Sequence, residues 1–413
     1  MAQSKEKKAL YILIATAVVV KLIILYFISN FRVWEENEMA MNYLATGKLQ
    51  YMHDGAMVYN YSLPVYPFLL VLVYKIFGIN YGCAAAMNII FSAITAVLLY
   101  DIFNVFFERF KLPERVKNIR STIVLLSVAA YLFHPLIVFY EIKNVHPFAM
   151  YLFSYVLGLW LMLKYIERNT WINLLLFGLI MGMIVLGRIP FIALFVPFFL
   201  LLLQTETVKK SLFKMLFVLA ISSLFPLLWV WNTHSKAQGR DLFPNIGAAM
   251  WMGSLPQTEG SNNFENGKTF YAALSDSDMQ VISKIPAASR DSFYAAKYSY
   301  QLKHNPDLVA KMFLIKFENF WLFRKAIGVD YPPNIQKLIP VYKAVYLVLL
   351  LLALFAAIRV RKEAWILLSL PFAVSLIHAM VYVETRHRIM FEPLLIFLAI
   401  IGLALLLKKK ETA

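Results

Sequence analysis

The fold is decided by FRVWEENEMAMNYLATGKLQYMHDGAMVYNYSLPVYPFLLVLVYKIFG, residues 31–78. This stretch follows a long apolar segment and gathers acidic side chains in a chain that is otherwise mostly apolar. On a helix, Glu35, Glu38 and Asn42 share one face, and apolar residues share the opposite face. The pattern predicts an amphipathic helix that lies on a membrane surface and has a carboxylate edge.

The composition indicates the class of protein. Of the 413 residues, 61% are hydrophobic and 15% are charged, which leaves too much apolar surface for a soluble core. The net charge of +16 comes largely from Lys and Arg beside the ends of apolar runs, as is typical of cytoplasmic loops, and it argues against nucleic acid as a partner. The sequence therefore predicts an all-α polytopic membrane protein surrounded by membrane lipids.

We predict about ten transmembrane helices from the lengths of the apolar runs. They cover residues 9–30, 83–106, 121–140, 148–166, 171–187, 190–203, 213–232, 340–358, 364–382 and 390–407. The first is predicted to be an uncleaved signal anchor, because its apolar run is too long for a signal peptide and lacks a small-residue cleavage site.

The segment 64–78 determines the topology. It is apolar but only about fifteen residues long, which favours an interfacial or re-entrant helix over a transmembrane span. If it does not cross, the basic clusters of the chain all face the cytoplasm. These clusters are Lys5/Lys7/Lys8, Arg109/Lys111/Arg115/Lys117/Arg120, Lys164/Arg168, Lys209/Lys210/Lys214, Arg359/Arg361/Lys362 and Lys408/Lys409/Lys410. The compact length and basic inner loops indicate the cell (inner) membrane of a prokaryote, with the endoplasmic reticulum as the alternative.

This topology divides the chain into three parts. Residues 1–232 form a transmembrane module that includes the outer loop 31–82, residues 233–338 form an extracytoplasmic region, and residues 339–413 contain the C-terminal transmembrane helices. The extracytoplasmic region begins with a segment rich in Gly, Asn and Pro, which predicts loops. Residues 276–325 are predicted to be mostly helical, because acidic residues stand at the starts of apolar segments.

Ionisable residues on the predicted outer side are the candidates for chemistry, because the sequence has no Walker-type glycine loop, HExxH, paired CxxC or nucleophile elbow. These candidates are Glu35, Glu38, His53, Asp54, Glu141, Lys143, His146, Arg188, Glu384, Arg386, His387 and Arg388. Glu36 is predicted to be solvated, and Lys21, inside the first span, is expected to snorkel or to pair internally. No His and carboxylate cluster has the spacing of metal ligands, so we predict neither a metal nor a cofactor.

Acids and cations on one side of a membrane suit one type of reaction. Moving a group off a lipid-linked phosphate needs a carboxylate to take a proton from the acceptor and fixed cations to hold the leaving phosphate. Arginine suits the second task, because its planar fork matches phosphate oxygens and stays charged near lipid.

Short motifs along the whole chain resemble those of the polyprenyl-phosphate-sugar-dependent glycosyltransferases of the C superfamily, in the dolichyl-phosphate-mannose protein mannosyltransferase-like group. The motifs are WEENEMAMNYLATG (34–47), YSLPVYPF (61–68), KIFG (75–78), GRIP (187–190), GAAMWMGSLPQTEG (247–260) and RHRIMFEP (386–393). They occur in the order found in that family. Many relatives have Asp at the first acidic position, whereas this chain offers Glu35, Glu36 and Glu38.

The resemblance implies a glycosyltransferase, either hexosyl or pentosyl, that moves one monosaccharide from a polyprenyl-phosphate donor by inverting displacement. The acceptor would be a lipid, glycan or protein on the extracytoplasmic side. The implied site residues are the catalytic carboxylates Glu35, as general base, and Glu38, together with Arg188, Arg386, Arg388 and His387 around the donor phosphate.

Simpler interpretations stay open for each of these residues. The acids could be solvated charges on an interfacial helix, and the basic residues could anchor lipid headgroups. At the level of the whole protein, the alternative is a polytopic transporter or lipid flippase, which predicts ionisable residues at the membrane midplane and two related halves. A non-catalytic assembly partner is a third interpretation.

Overall fold

A computed structural model describes residues 2–53, 56–59, 63–234, 245–261, 273–286, 289–322 and 337–407, and most of these residues are helical. The helices are α1 (Ala2–Tyr26), α2 (Glu35–Thr46), α3 (Val65–Phe77), α4 (Tyr81–Arg109), α5 (Glu114–Lys117), α6 (Arg120–Leu132), α7 (Pro135–Lys143), α8 (Phe148–Arg168), α9 (Trp171–Gly187), α10 (Phe195–Thr205), α11 (Val208–Ser222), α12 (Leu224–His234), α13 (Ile246–Met252), α14 (Asp276–Lys284), α15 (Arg290–His304), α16 (Pro306–Leu322), α17 (Ile339–Val360), α18 (Lys362–Met380), α19 (Thr385–Ile389) and α20 (Glu392–Leu406). Short 3₁₀ helices cover Ile189–Leu194 and Pro256–Thr258. The strands are β1 (Arg32–Val33), β2 (Gln50–His53), β3 (Ala56–Tyr59) and β4 (Asn144–Val145).

The predicted spans coincide with apolar helices, and the all-α polytopic membrane fold is confirmed. Six helices in the described part of the chain are long and apolar enough to cross a membrane: Lys5–Tyr26, Tyr81–Arg109, Phe148–Arg168, Val208–Asn232, Ile339–Val360 and Lys362–Met380. Shorter apolar helices occupy the predicted spans at Trp171–Gly187, Ile189–Thr205 and Glu392–Leu406.

The predicted span 121–140 is not one straight helix. Its two parts, α6 and α7, meet at an angle of 43°. Pro135 begins α7, and a proline disfavours helical backbone in the residue before it. The side chain of His134 accepts a hydrogen bond from the Ile137 N–H and so caps the new helix.

The segment 64–78 forms α3 and does not reverse the direction of the chain through the membrane. Helices α1 and α4 run antiparallel. Lys21 late in α1 contacts Ser92 early in α4, while Arg120, the first residue of α6, pairs with both Glu6 early in α1 and Glu108 late in α4. The chain therefore leaves α1 and enters α4 at the same end of the helical bundle. The interfacial placement of 64–78 agrees with this arrangement.

Two of the predicted basic clusters, at 5–8 and 109–120, meet at the opposite end of the bundle. Arg115 donates hydrogen bonds to the carbonyls of Leu405 and Leu407, and Arg120 is bound to Glu6 near the start of α1. This contact agrees with a shared side for these two clusters. The cluster at 408–410 lies outside the described residues.

A glycine and a pair of stacked aromatic rings both contribute to close helix packing in the core. A Cβ atom added to Gly402 in α20 would lie 2.3 Å from the Leu352 carbonyl of α17, so the two helices approach closely there. Phe103 of α4 stacks on Phe397 of α20 with ring centroids 4.3 Å apart. These contacts join the N-terminal and C-terminal helices into one core.

A short parallel strand pair, which we did not predict, joins two of the predicted outer loops. Arg32 of β1 is in register with Asn144 of β4, and Val33 is in register with Val145. This pairing fixes the start of α2 beside the loop that leads into α8. Strands β2 and β3 form a separate antiparallel hairpin after α2.

The predicted loop segment of the extracytoplasmic region is more helical than expected within residues 245–261, while its residues 235–244 and 262–267 lie outside the described part of the chain. We predicted loops there, but Ile246–Met252 forms α13, whose first N–H groups donate to the Asp291 carboxylate of α15. The helical prediction for 276–325 is confirmed in α14 to α16. Ser275 and Asp278 form a capping box at the start of α14.

Candidate active site

Helix α2 is fixed over α3 by buried polar contacts. The Asn37 side chain accepts a hydrogen bond of 2.5 Å from the Tyr74 hydroxyl. Glu36 is only 5% exposed, so our prediction that it is solvated was wrong, because α2 packs against the protein through this face. Gly47, with φ of 71°, ends the helix in the left-handed conformation.

The two predicted catalytic acids differ in their surroundings. Glu38 accepts a hydrogen bond of 2.9 Å from the Met52 N–H and thereby ties α2 to the hairpin. Glu35 is half-buried at the first position of α2, directly after the strand pairing of β1 with β4. Its charge raises the pKa of the Tyr382 hydroxyl, so the Glu35 carboxylate lies within electrostatic range of the residues described next.

Arg188 lies in the turn between α9 and the following 3₁₀ helix. Its backbone is extended, and Pro190 at the start of the 3₁₀ helix prevents α9 from continuing. The guanidinium lies over the ring of Tyr151, 4.8 Å from the ring centroid. One of its nitrogens also contacts the Met390 sulfur, so Arg188 meets the segment that follows α18.

Arg386 joins this segment to Trp34, directly before α2. Its guanidinium lies 4.5 Å from the ring centroid of Trp34 and 2.7 Å from the carboxylate of Glu384. Arg386 is 8% exposed, so its charge is largely shielded from water. The aromatic ring and the carboxylate hold the guanidinium in one orientation.

Tyr382 shows how the charges are grouped. Burial raises the pKa of the Tyr382 hydroxyl, Glu384 and Glu35 raise it further, and Arg386 and Arg188 oppose the rise. Charges from three separate parts of the sequence therefore lie near one phenol. We call Glu35, Arg188, Glu384 and Arg386 the charged cluster.

Two histidines beside the charged cluster are neutral. Burial lowers the pKa of His146 and of His387 well below the usual value, and the nearby cations Arg188 and Arg386 lower both further. The Nδ1 of His146 accepts from the Phe148 N–H, and the Nδ1 of His387 accepts from the Glu384 N–H. In the neutral rings the proton is therefore on Nε2, which can donate to a ligand.

Sequence reasoning missed some parts of this site. His378 stacks on His387 with ring centroids 3.8 Å apart, although it belongs to α18, which we treated only as a span. An ionisable residue inside an apolar span is the signal that could have identified it. The aromatic supports Trp34 and Tyr151 were not predicted as such, because only the tertiary structure shows which cation each one contacts.

Arg388 belongs to a different group of residues. Residues two apart on a helix point about 200° apart, so Arg388 leaves α19 on the side away from Arg386. Its guanidinium binds the Glu392 carboxylate at 2.9 Å and the Tyr342 hydroxyl at 2.9 Å, while His134 contacts the same carboxylate at 2.7 Å. The structure does not bring Arg388 together with the charged cluster.

The remaining candidates lie outside the charged cluster or were not described. Glu141 and Lys21 form a buried salt bridge of 2.5 Å, which confirms internal pairing for Lys21. Lys143 donates to the Asn30 carbonyl. The His53 side chain and Asp54 lie outside the described residues. The described residues include no group of three or more His, Cys, Asp and Glu arranged to hold a metal ion.

Comparison with solved structures finds similarity to ArnT from Cupriavidus metallidurans, whose crystal structure contains bound undecaprenyl phosphate. The two chains share 14% identity, the aligned region covers 95% of this chain and 77% of that chain, and the TM-score is 0.43. No family model and no curated protein matches this chain.

Proposed function

We propose that this protein is an integral-membrane glycosyltransferase that moves a monosaccharide from a polyprenyl-phosphate donor to an acceptor on the extracytoplasmic side of the membrane. The observation that supports this proposal is the charged cluster, in which the Arg386 guanidinium lies 4.5 Å from the ring centroid of Trp34, the residue directly before Glu35, and in which Glu35, Arg188 and Arg386 all act on the pKa of the Tyr382 hydroxyl. The motif resemblance along the chain points to the same reaction.

The proposed mechanism is a single inverting displacement. Glu35 takes the proton from an acceptor hydroxyl, and the acceptor oxygen attacks the anomeric carbon of the donor sugar. As this C–O bond forms, the bond from the anomeric carbon to the phosphate oxygen breaks, and its electron pair leaves with the polyprenyl phosphate. Arg188 and Arg386 stabilise the phosphate, whose negative charge increases as it departs.

The other candidates receive different parts in this proposal. His387 donates an Nε2–H to a phosphate oxygen or a sugar hydroxyl. Glu38 is a second acid that can orient the acceptor from the hairpin side of α2. Arg388, already bound to Glu392 and Tyr342, orients α19 rather than contacting the donor phosphate.

The test is a transfer assay with the full-length protein in lipid nanodiscs. Radiolabelled undecaprenyl-phosphate hexoses and pentoses are the donors, and an extract of membrane and cell-envelope glycans is the acceptor. We expect Glu35→Gln to lower transfer by about 10²- to 10⁴-fold, because this is the usual contribution of a general base. The matched control is Glu167→Gln, which removes an acid that pairs with Lys164 at the far end of α8.

The outcomes separate the competing interpretations. Transfer that falls in Glu35→Gln but not in Glu167→Gln supports the proposal. Full activity in a folded Glu35→Gln protein would contradict the assignment of the base. Absence of transfer from every donor, together with movement of labelled lipid between the leaflets of proteoliposomes that contain the protein, would favour a flippase and overturn the proposed reaction.

A further inference from the structure

The ends of α8 and α9 that lie away from the charged cluster border an open cleft of about 1090 Å³. Helix α9 begins in this cleft at Trp171 and ends beside Arg188. Its 17 residues span roughly 26 Å at 1.5 Å per residue. This distance approaches the thickness of the hydrocarbon core of a bilayer, so the cleft lies at the opposite membrane surface.

The cleft is lined by more positive than negative charge. Among its described lining residues are Lys209, Lys210 and Lys214 and a single carboxylate, Glu206. Lys214 binds Glu206 and the Asn169 side chain, so these two opposite charges are already paired. Lys209 and Lys210 are exposed and form no salt bridge with a described residue, so two positive charges stay available in the cleft.

The backbone at the start of α11 favours the same sign of ligand. Lys209 and Lys210 belong to the first turn of this helix, whose N–H groups have no partners within the helix. The side chain of Thr207, which precedes the helix, makes no capping hydrogen bond. The lysines and these N–H groups therefore attract an anion from the same side.

An apolar wall borders the lysines. Trp171 and Phe213 line the cleft, are 55% and 60% exposed, and contact each other edge to face at 6.1 Å. Tryptophan beside basic residues is typical of the level of the lipid headgroups. A soluble anion would use only the lysines, whereas an amphiphile would also use the exposed rings.

We propose that this cleft binds an anionic phospholipid from the leaflet opposite the charged cluster. The lipid phosphate lies between Lys209, Lys210 and the start of α11, and the first part of the acyl chains lies along Phe213 and Trp171. The paired Lys214 and Glu206 form the floor of the site. This binding is independent of the sugar-transfer activity proposed above.

Native mass spectrometry of the full-length protein in detergent tests the site, with dioleoyl phosphatidylglycerol and dioleoyl phosphatidylcholine as probes with identical acyl chains. We expect the protein to prefer phosphatidylglycerol. Replacing Lys209→Gln and Lys210→Gln together is expected to weaken its binding about 30-fold, which corresponds to about 1 kcal/mol for each lysine. The matched control, Lys7→Gln with Lys8→Gln, removes two exposed lysines at the start of α1 and should change binding less than about threefold.

Three results would overturn the proposal. Equal binding of the two lipids would show that the cleft does not select charge. Equal losses in the Lys209/Lys210 and Lys7/Lys8 variants would show that the attraction is general. Displacement of the lipid by an equal concentration of inorganic phosphate would identify a site for soluble anions, because the apolar wall would then add nothing to binding.

Discussion

Positive side chains lie near both ends of the α8–α9 pair, but they are buried and held in place at one end and exposed at the other. At one end, Arg386 is 8% exposed and is held between the Trp34 ring and the Glu384 carboxylate. At the other end, Lys209 and Lys210 are exposed on the first turn of a helix. A fixed cation shielded from water acts more strongly on a developing charge and needs no reorganisation. The charged cluster is therefore suited to catalysis, and the cleft to reversible binding.

The end with the charged cluster is also covered by a second layer of protein. Gly260 accepts a hydrogen bond of 2.9 Å from the Val383 N–H, and Lys316 of α16 donates one of 3.0 Å to the Val381 carbonyl. These contacts fix the segment that leads from α18 to Glu384 and Arg386. The predicted extracytoplasmic region thus stabilises the backbone on which half of the charged cluster is built.

Exchanging Arg and Lys at each end provides the strongest test of this difference. Arg386→Lys retains the charge but loses the planar fork and the stacking on Trp34, so we expect transfer to fall about 100-fold. The reverse change in the cleft, Lys209→Arg, should leave transfer within about twofold, because an exposed cation has no fixed geometry to lose. Steady-state rates with the undecaprenyl-phosphate donors measure both. Equal effects at the two ends would show that only net charge matters.

The next largest effect is expected from a substitution at Gly253, where α13 of the predicted extracytoplasmic region contacts the end of α18. A Cβ atom at this position would lie 1.7 Å from the Val381 carbonyl oxygen, so Gly253→Ala must separate α13 from the end of α18. We expect a loss of about 1–3 kcal/mol in stability, measured by thermal unfolding, together with weaker transfer. Gly187→Ala is the control, because a Cβ atom added there would have its nearest neighbour in the Met150 side chain, at an ordinary contact distance of 3.7 Å. Unchanged unfolding of Gly253→Ala would show that the layer moves freely.

Much of the fold could be predicted because it depends on local properties. The lengths of the apolar runs and the positions of Lys and Arg predict the spans and place 64–78 at one membrane surface. The antiparallel arrangement of α1 and α4, in which Lys21 contacts Ser92, agrees with that placement. The bend at Pro135 was also accessible from the sequence, since a proline within a predicted span is a common cause of a break. We did not use that signal.

The site was only partly predictable, because its contacts join distant parts of the chain. The types of residue, a carboxylate and arginines beside the spans, were visible in the sequence. The pairing of Arg32 with Asn144 was not, because two-residue strands leave no periodic pattern. The different directions of Arg386 and Arg388 could not be assigned either, since the helical turn of 385–389 is too short to predict from sequence.

The last and smallest effect that we predict is a pH dependence of stability due to Lys316. This lysine is buried beside the segment that leads to the charged cluster, whereas the lysines of the cleft are exposed. Burial lowers the pKa of Lys316 to about 8, against its ordinary value of 10.5. Below pH 8 the lysine is protonated in both the folded and the unfolded chain. Between pH 8 and 10.5 the folded chain has lost this proton while the unfolded chain retains it, so folding becomes more favourable as the pH rises.

We therefore compare wild type with Lys316→Met, in which an apolar side chain of similar length occupies the same buried position. From pH 7 to 9.5, wild type should gain about 2 kcal/mol of stability relative to this variant, at 1.36 kcal/mol for each unit above the folded pKa. Thermal unfolding in detergent at several pH values measures the difference. Lys311→Met, which replaces an exposed lysine of the same helix, should show no such pH dependence. If the difference in stability between wild type and Lys316→Met does not change with pH, water reaches Lys316. The two ends of the molecule would then not differ in the hydration of their lysines at this position.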